Sequence, residues 1–388
     1  MVSLTADVVV IGGGVLGAAT VFELAQRGVS AVLLERALPG RQGSGTTAGN
    51  LHIQAIHSKR PGQGVPVDNA RLVPLQLATS ELWDRLPERL GTDIQMVRSG
   101  GFTVAETPDE VAELHAKAQW ERAAGLPTEV LDGDTARAAM PQLGATVLAA
   151  TWCPLDGHAS SLLATPAYLA GARRAGARIY TNAPVSAISR STGTWTVTSP
   201  IGTVSAPVVI NAAGPWIQQV SALAGYDLAM SPLAIQMHET VRTPRFLDHL
   251  VQHVGRGLSV KQVPSGSVVI GGGWPAASLN LGGYSPTSET SQIGNMDDAT
   301  RILPAVAGLR LSRVWAGPLA ATPDEMPVIG EIAGSDGFYV QGGTYAFTFS
   351  PLWAATTADL ITGVAPAHDV TDLGPDRLLS TEPIGAAH

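Results

Sequence analysis

The chain has 388 residues, 45% of them hydrophobic and only 14% charged, enough length for two domains and enough apolar content for a large buried core. A formal net charge of −8 without any block of lysine and arginine argues against a nucleic-acid surface, and the pair Lys59-Arg60 reads as a solvated turn. A single cysteine, Cys153, excludes an intramolecular disulfide; the first strand starts at once without a leader-like run, and glycines break the longest uncharged stretches, so a cytoplasmic protein with no membrane span is expected.

Residues 7–35 read DVVVIGGGVLGAATVFELAQRGVSAVLLE. A buried strand runs into a Gly12-x-Gly14-x-x-Gly17 turn, an amphipathic helix and a second strand that closes on Glu35. Gly12 permits the tight turn, Gly14 lets backbone N–H groups approach a pyrophosphate, and Gly17 lets the helix lie close on the sheet. The helix start, with Val15 and Leu16, turns its positive dipole end toward the phosphates. Glu35, followed by Arg36, can accept hydrogen bonds from both ribose hydroxyls of an adenosine and would repel a 2′-phosphate. FAD or NAD is therefore expected, and NADP is not.

A Gly/Ser/Thr-rich run at 40–50 and a Pro/Gly-rich loop at 60–67 follow, then a helix over 72–90 with Leu75, Leu82 and Leu86 apolar. Residues 100–104 read as a strand and 108–125 as a helix that opens with Asp109 and Glu110. A helix over 160–175, with Pro166 near its start, leads to a strand at 178–181 and one alternating run at 185–197. A nearly continuous apolar strand at 206–213 then ends in Gly214-Pro215-Trp216. From 228 to 273 the pattern is mostly β, with two strands around the Pro264-Ser265-Gly266 turn. His249 and His253, at i and i+4, would share a helix face; with no third ligand beside them they read as a solvated pair, and no metal is expected. Residues 278–295 are polar and weakly periodic and read as a loop, a candidate lid. The block at 315–330, a strand at 337–341 and a helix over 350–362 come next, and everything after 365 reads as a tail.

In this order the blocks resemble the FAD-dependent amine and amino-acid oxidoreductases typified by D-amino-acid oxidase, glycine oxidase and sarcosine oxidase. The resemblance rests on the fingerprint, GSGTTAGN at 43–50, VVINAAGPW at 208–216, VVIGGGW at 268–274, WAGPLAATPDEMPVIG at 315–330 and GTYAFTFSP at 343–351, and it spans almost the whole chain. AGNLHIQ, SVKQ and GGGWPA look closer to the opine-oxidase and sarcosine-oxidase β-subunit branch than to D-amino-acid oxidase. The resemblance implies an α/β fold in which a Rossmann-like FAD-binding domain, built from the discontinuous segments 1–90, 150–226 and 308–375, is joined to a β-rich (α+β) substrate domain of 91–149 and 227–307. Residues 376–388 would be the tail.

It also implies site residues. Ser44, Thr46 and Thr47 would bond pyrophosphate or ribityl oxygens, while Gly49, Asn50 and Leu51 let the flavin pass close. Val185 would touch the adenine, and Ala213, Gly214 and Trp216 form a second FAD contact. Gly343, Thr344, Ala346, Phe347 and Thr348 would lead into a helix whose N-terminus faces the flavin ring. Thr47-Ala48 stands where some relatives carry a flavin-linked histidine, so the FAD is expected to be noncovalent. The implied chemistry is hydride transfer from the carbon beside an amine to flavin N5, giving an imine, with oxygen or another acceptor reoxidising the flavin. His52, Lys261 and Tyr345 are the candidates over the reactive face, with His238 and Gln54 as weaker ones. An arginine that clamps the substrate carboxylate in glycine-oxidase-like relatives is missing, because Trp315-Ala316-Gly317 continues as Pro318-Leu319-Ala320; Lys261, Arg242 or a substrate without that carboxylate are the alternatives. The rival readings are a flavoprotein subunit that needs partner chains, a non-catalytic nucleotide-binding module and an NAD dehydrogenase.

Overall fold

The computed structural model describes residues 2–56 and 70–380. The loop at 60–67, the pair Lys59-Arg60 and the last eight residues of the expected tail lie outside the described residues. The centre of the molecule is a six-stranded sheet in the order Val328–Glu331, Phe338–Gly342, Val208–Asn211, Val8–Ile11, Ala31–Leu34 and Arg178–Tyr180. All neighbours are parallel except the antiparallel edge strand Val328–Glu331. The run of valines at 8–10 suits a parallel strand buried on both faces. Val8 and Val10 pack among the helices Val15–Gln26, Ser161–Arg174 and Ser350–Thr362, while Val9 and Ile11 pack with Trp195, Phe338 and Leu378 on the other side.

A four-stranded sheet of Val2–Thr5, Gly202–Ala206, Thr194–Ser199 and Ala187–Ser191 covers that second face. Two expected runs are divided here. The alternating stretch 185–197 is a hairpin, because Thr192 and Gly193 take the left-handed φ of +47° and +80° that a tight turn requires. The apolar strand 206–213 breaks at Pro207, leaving one strand in each sheet.

An eight-stranded mixed sheet forms the other half, in the order Leu311–Leu319, Leu233–Thr240, Val268–Gly271, Ser259–Gln262, Leu250–His253, Gly101–Ala105, Ala149–Cys153 and Glu129–Asp132. Ser259–Gln262 and Val268–Gly271 pair across the expected turn. Strands Leu311–Leu319 and Ala149–Cys153 carry this sheet across the boundaries expected at 308 and 150. One of its faces packs Phe102, Val104, Val251, Val260 and Ile270 against the helix Glu289–Ile302. The opposite face turns Thr103, Thr151, Gln252 and Lys261 inward, as period-two alternation demands.

The sequence reading passed over 126–159, where the structure has the strands Glu129–Asp132 and Ala149–Cys153 and a short helix Gly133–Ala139 capped by Asp132. The expected loop 278–295 becomes helical at Glu289: Ser288 caps it by accepting from the Ser291 N–H at 3.2 Å. Its buried face carries Ser291, Asn295 and Asp298 before Ala299 and Ile302, so no apolar period announces its start, and it lies on the face of the sheet away from Gln252 and Lys261. His249 and His253 do not share a helix. His253 ends the strand Leu250–His253, buried 3.6 Å from the carboxylates of Glu106 and Glu110, while His249 Nδ1 meets the Ser99 carbonyl. Residues 371–380 are docked and not a loose tail: Leu373 and Leu378 are buried, and Arg377 donates to Asp324 at 2.9 Å and to the Pro327 carbonyl at 2.8 Å.

Candidate active site

Two cavities of about 290 and 320 Å³ share Gly43, Ser44 and Ala212, and together they form one trough along the carboxyl ends of the six-stranded sheet. That is where α/β sheets bind ligands, since the strands there diverge into loops of opposite sense. The smaller cavity is lined by Gly12, Gly14, Glu35, Arg36, Val185, Ala213 and Trp216, all expected cofactor contacts. Glu35 is held at its strand end by the N–H groups of Gly13 at 2.7 Å and Ala37 at 2.8 Å. The Arg36 guanidinium lies 3.6 Å over the Trp216 ring, and burial pulls it below its usual pKa against the raising effect of Glu35.

Between the cavities stands the start of the helix Val15–Gln26, with no side-chain cap at Gly14, which leaves its dipole end open. Gly12 holds φ at +108°, and a Cβ there would lie 2.6 Å from the Ala212 carbonyl oxygen. A Cβ on Gly17 would overlap the Gly12 carbonyl oxygen. The Ser44 hydroxyl accepts from the Val15 N–H at 2.8 Å and so sits against the same helix end.

The larger cavity is lined from the cofactor side by Val15, Leu16, Thr47, Asn50, His52, Gly214, Gly343, Thr344, Tyr345, Ala346, Phe347 and Thr348. Ile235, Met237, Thr103, Gln252 and Ser259 of the eight-stranded sheet face them, and Pro318, Leu319 and Ala320 line the wall where the clamping arginine was sought. Four expected cofactor residues do not line the trough. Gly17 is on the sheet-facing side of the helix Val15–Gln26 and Leu51 is in the core; Gly49 backs onto the Ala159 carbonyl; Thr46 packs on Gly317, with its own carbonyl accepting from Trp315 Nε1 at 2.8 Å. They shape the loop that forms the wall.

Among the expected catalytic residues, His52 and Tyr345 meet in the cavity, with ring centroids 6.5 Å apart at 89°. His52 Nδ1 is buried without a hydrogen-bond partner. Burial, reinforced by the charge of Lys261, holds the His52 imidazole at about 4, so the ring is neutral at neutral pH. Tyr345 takes a left-handed φ of +58°, its hydroxyl accepts from the Ile56 N–H at 3.0 Å, and burial raises its pKa. Lys261 is not on the lining. It is 2% exposed, donates to the Ala48 carbonyl and to Asn50 Oδ1 at 2.7 Å, and burial draws its pKa well below the ordinary lysine value. His238 faces the helix Glu289–Ile302 through Asn295 at 3.2 Å, Gln54 is buried beside Lys117, and Arg242 is exposed, so none of the three reaches the cavity. Gln252, Thr103 and Ser259 were overlooked; polar residues alternating with Val251, Phe102 and Val260 on inner strands were the available signal.

The trough suits FAD: an acid at one end, a helix start with glycine at its N-cap in the middle, glycines whose Cβ atoms would intrude, and a mostly apolar chamber beyond. Residues 7–360 match the family described as DAO, FAD dependent oxidoreductase. The chain belongs to this family. It is 29% identical to the glycine oxidase of Geobacillus kaustophilus over 96% of this chain and 97% of that one, and the crystal structure of a glycine oxidase from that organism superposes with a TM-score of 0.86. The L-proline dehydrogenase of P. horikoshii, 25% identical, superposes with a TM-score of 0.87 over 97% of this chain and 98% of that chain. Mouse mitochondrial dimethylglycine dehydrogenase is 27% identical over 96% of this chain, which spans 44% of that enzyme. This DAO-family protein is an FAD-dependent oxidoreductase, and the reading as a partner-dependent subunit is not favoured. Among the described residues no helix is long and apolar enough to cross a membrane.

Proposed function

We propose that this enzyme converts an amino acid or N-substituted amino acid to its imine with a noncovalent FAD, and passes the electrons to oxygen or another acceptor. The observation that carries the reading is the chamber where the neutral His52 faces a mixed wall of Gln252, Thr103, Ser259, Ile235 and Met237. Bound FAD supplies the hydride acceptor at N5. Everything else falls to the chain's own side chains.

The His52 ring, held neutral by burial, adds no positive charge beside a substrate amine and can orient that amine as a hydrogen-bond partner. Ile235 and Met237 exclude water and seat the aliphatic part of the substrate, while Gln252, Thr103 and Ser259 offer donors to its polar end. Among the described residues the lining holds no arginine or lysine, so a carboxylate would meet neutral donors there in place of a guanidinium. Neither Thr47 nor Ala48 offers an imidazole for a covalent flavin link. The named relatives act on glycine, dimethylglycine and L-proline, which supports the substrate class.

The test is anaerobic titration of the flavin band with amino acids, their amides, N-methyl amino acids, opines and simple amines. Amino acids or their N-substituted forms should bleach it, and acid precipitation should leave the flavin in the supernatant. A band that only carboxylate-free amines bleach would overturn the substrate class, and flavin in the pellet would overturn the noncovalent assignment.

A further inference from the structure

Residues 52–56 wall the cavity through His52, Ala55 and Ile56, yet they form no helix or strand and are largely buried. A buried irregular segment must find acceptors for its N–H groups. Here five successive ones each end on a side-chain oxygen: His52 on Thr348 Oγ1 at 3.3 Å, Ile53 and Gln54 both on Asp156 Oδ1 at 2.8 Å, Ala55 on Glu121 Oε1 at 2.8 Å, and Ile56 on Tyr345 at 3.0 Å. Thr348 and Tyr345 come from the loop of the cofactor side, while Glu121 lies on the helix Pro108–Ala123 and Asp156 follows the strand Ala149–Cys153.

Asp156 and Glu121 are completely buried. Asp156 Oδ2 accepts from Gln54 Nε2 at 2.9 Å and from Gln252 Nε2 at 3.5 Å, and Gln252 lines the same cavity as His52. Lys117 Nζ bridges Glu121 at 2.7 Å and Gln54 Oε1 at 3.0 Å. A Cβ on Gly101 would sit 2.6 Å from Asp156 Oδ2, so the sheet makes room for this carboxylate. Buried charges of this kind cost several kcal/mol each to desolvate, roughly balanced by their bonds, and apolar replacements of such groups are often as stable. Stability alone therefore does not account for the network; its geometric product is a fixed 52–56 segment.

We propose that Asp156, supported by Glu121, is a positioning residue for amine oxidation, holding residues 53–55 and Gln252 so that the His52 imidazole faces the reacting substrate. The proposal rests on the role given to His52 above. Asp156→Asn in the flavin-loaded enzyme should fold and hold FAD within about twofold of the parent, yet slow flavin reduction about 100-fold, the scale of a small misplacement of a reacting group. In a His52→Ala background the same change should cost nothing further, whereas a merely structural loss would add. Additive losses overturn the proposal.

Amide exchange read by mass spectrometry on the unliganded full chain needs no substrate, so it tests Asp156 even where the amine reading fails. Residues 53–55 should exchange as slowly as the central strand, and faster in Asp156→Asn at that segment alone. Fast exchange there in the parent, or uniform loss of protection in the variant, overturns the positioning role. If Asp156→Asn does not fold, Glu121→Leu, which removes the acceptor of the Ala55 N–H, is read in the same two ways.

Discussion

His52 illustrates how place outweighs residue type. A free imidazole is half protonated near 6.5, but burial beside Lys261 holds this one at about 4. Replacing it with alanine removes a neutral polar group that orients the substrate, and the rate of flavin reduction should fall about 100-fold, the scale of a small misplacement of a reacting group, with FAD affinity unchanged. Anaerobic stopped-flow measures this; an unchanged rate would remove His52 from the chemistry. The acid limb that His52 gives the parent's reduction rate should lie near pH 4, and a limb at 6.5 would contradict the burial. Glu35 carries the cofactor counterpart. Glu35→Ala frees the Gly13 and Ala37 N–H groups and deletes the ribose acceptor, so the FAD dissociation constant should rise at least tenfold, on the order of 1.5–3 kcal/mol for bonds to a charged group. Fluorescence titration reads it, and an unchanged constant would show that the adenosine is not held there.

At the scale of elements, close approach decides the cofactor side. The helix Val15–Gln26 touches its strand through Gly17, with no room for a Cβ against the Gly12 carbonyl. Gly17→Ala should therefore lift the helix end off the sheet, costing about 1–3 kcal/mol as overpacking does and weakening FAD in step. A variant with parental melting temperature and cofactor content would contradict this packing. The same glycines made the strand, turn and helix legible in the amino-acid sequence, because each meets a backbone need that no other residue fills. The helix Glu289–Ile302 was not legible: the first half of its buried face is polar and finds its partners, His238 and Gly271, on distant strands. The hairpin at 192–193 hid for another reason, since alternation continues through the turn and only the φ values show the reversal.

For the whole molecule, buried titratable groups set the response to pH. His52 and His158 stay neutral in the folded chain down to about 4 and about 2, both through burial first and the charge of Lys261 second. The unfolded chain protonates its histidines from about 6.5, so between these values it binds more protons, and stability present above 6.5 is lost as the pH falls. Asp156, raised by burial to about 6, and Asp298, also raised by burial, work in the opposite direction in that window, against three histidines once His238, lowered by burial, is added. The melting temperature should fall from pH 6.5 to pH 4, and His158→Asn should make the fall shallower. A flat profile in the parent would show that these histidines are not buried in their neutral form.

Three things were determined by the amino-acid sequence alone: the nucleotide-binding unit, the family resemblance and the presence of His52 and Tyr345 in segments that line the cavity. All are local, since a glycine spacing or a motif keeps its meaning wherever the fold carries it. Only the tertiary structure decided that Lys261 lies beneath the 48–50 loop, that Gln252 lines the chamber, and that Asp156 and Glu121 hold the 52–56 segment. Those contacts join residues far apart in the chain, and whether a lysine, glutamine or aspartate meets solvent, cofactor or backbone depends on which strand lies opposite.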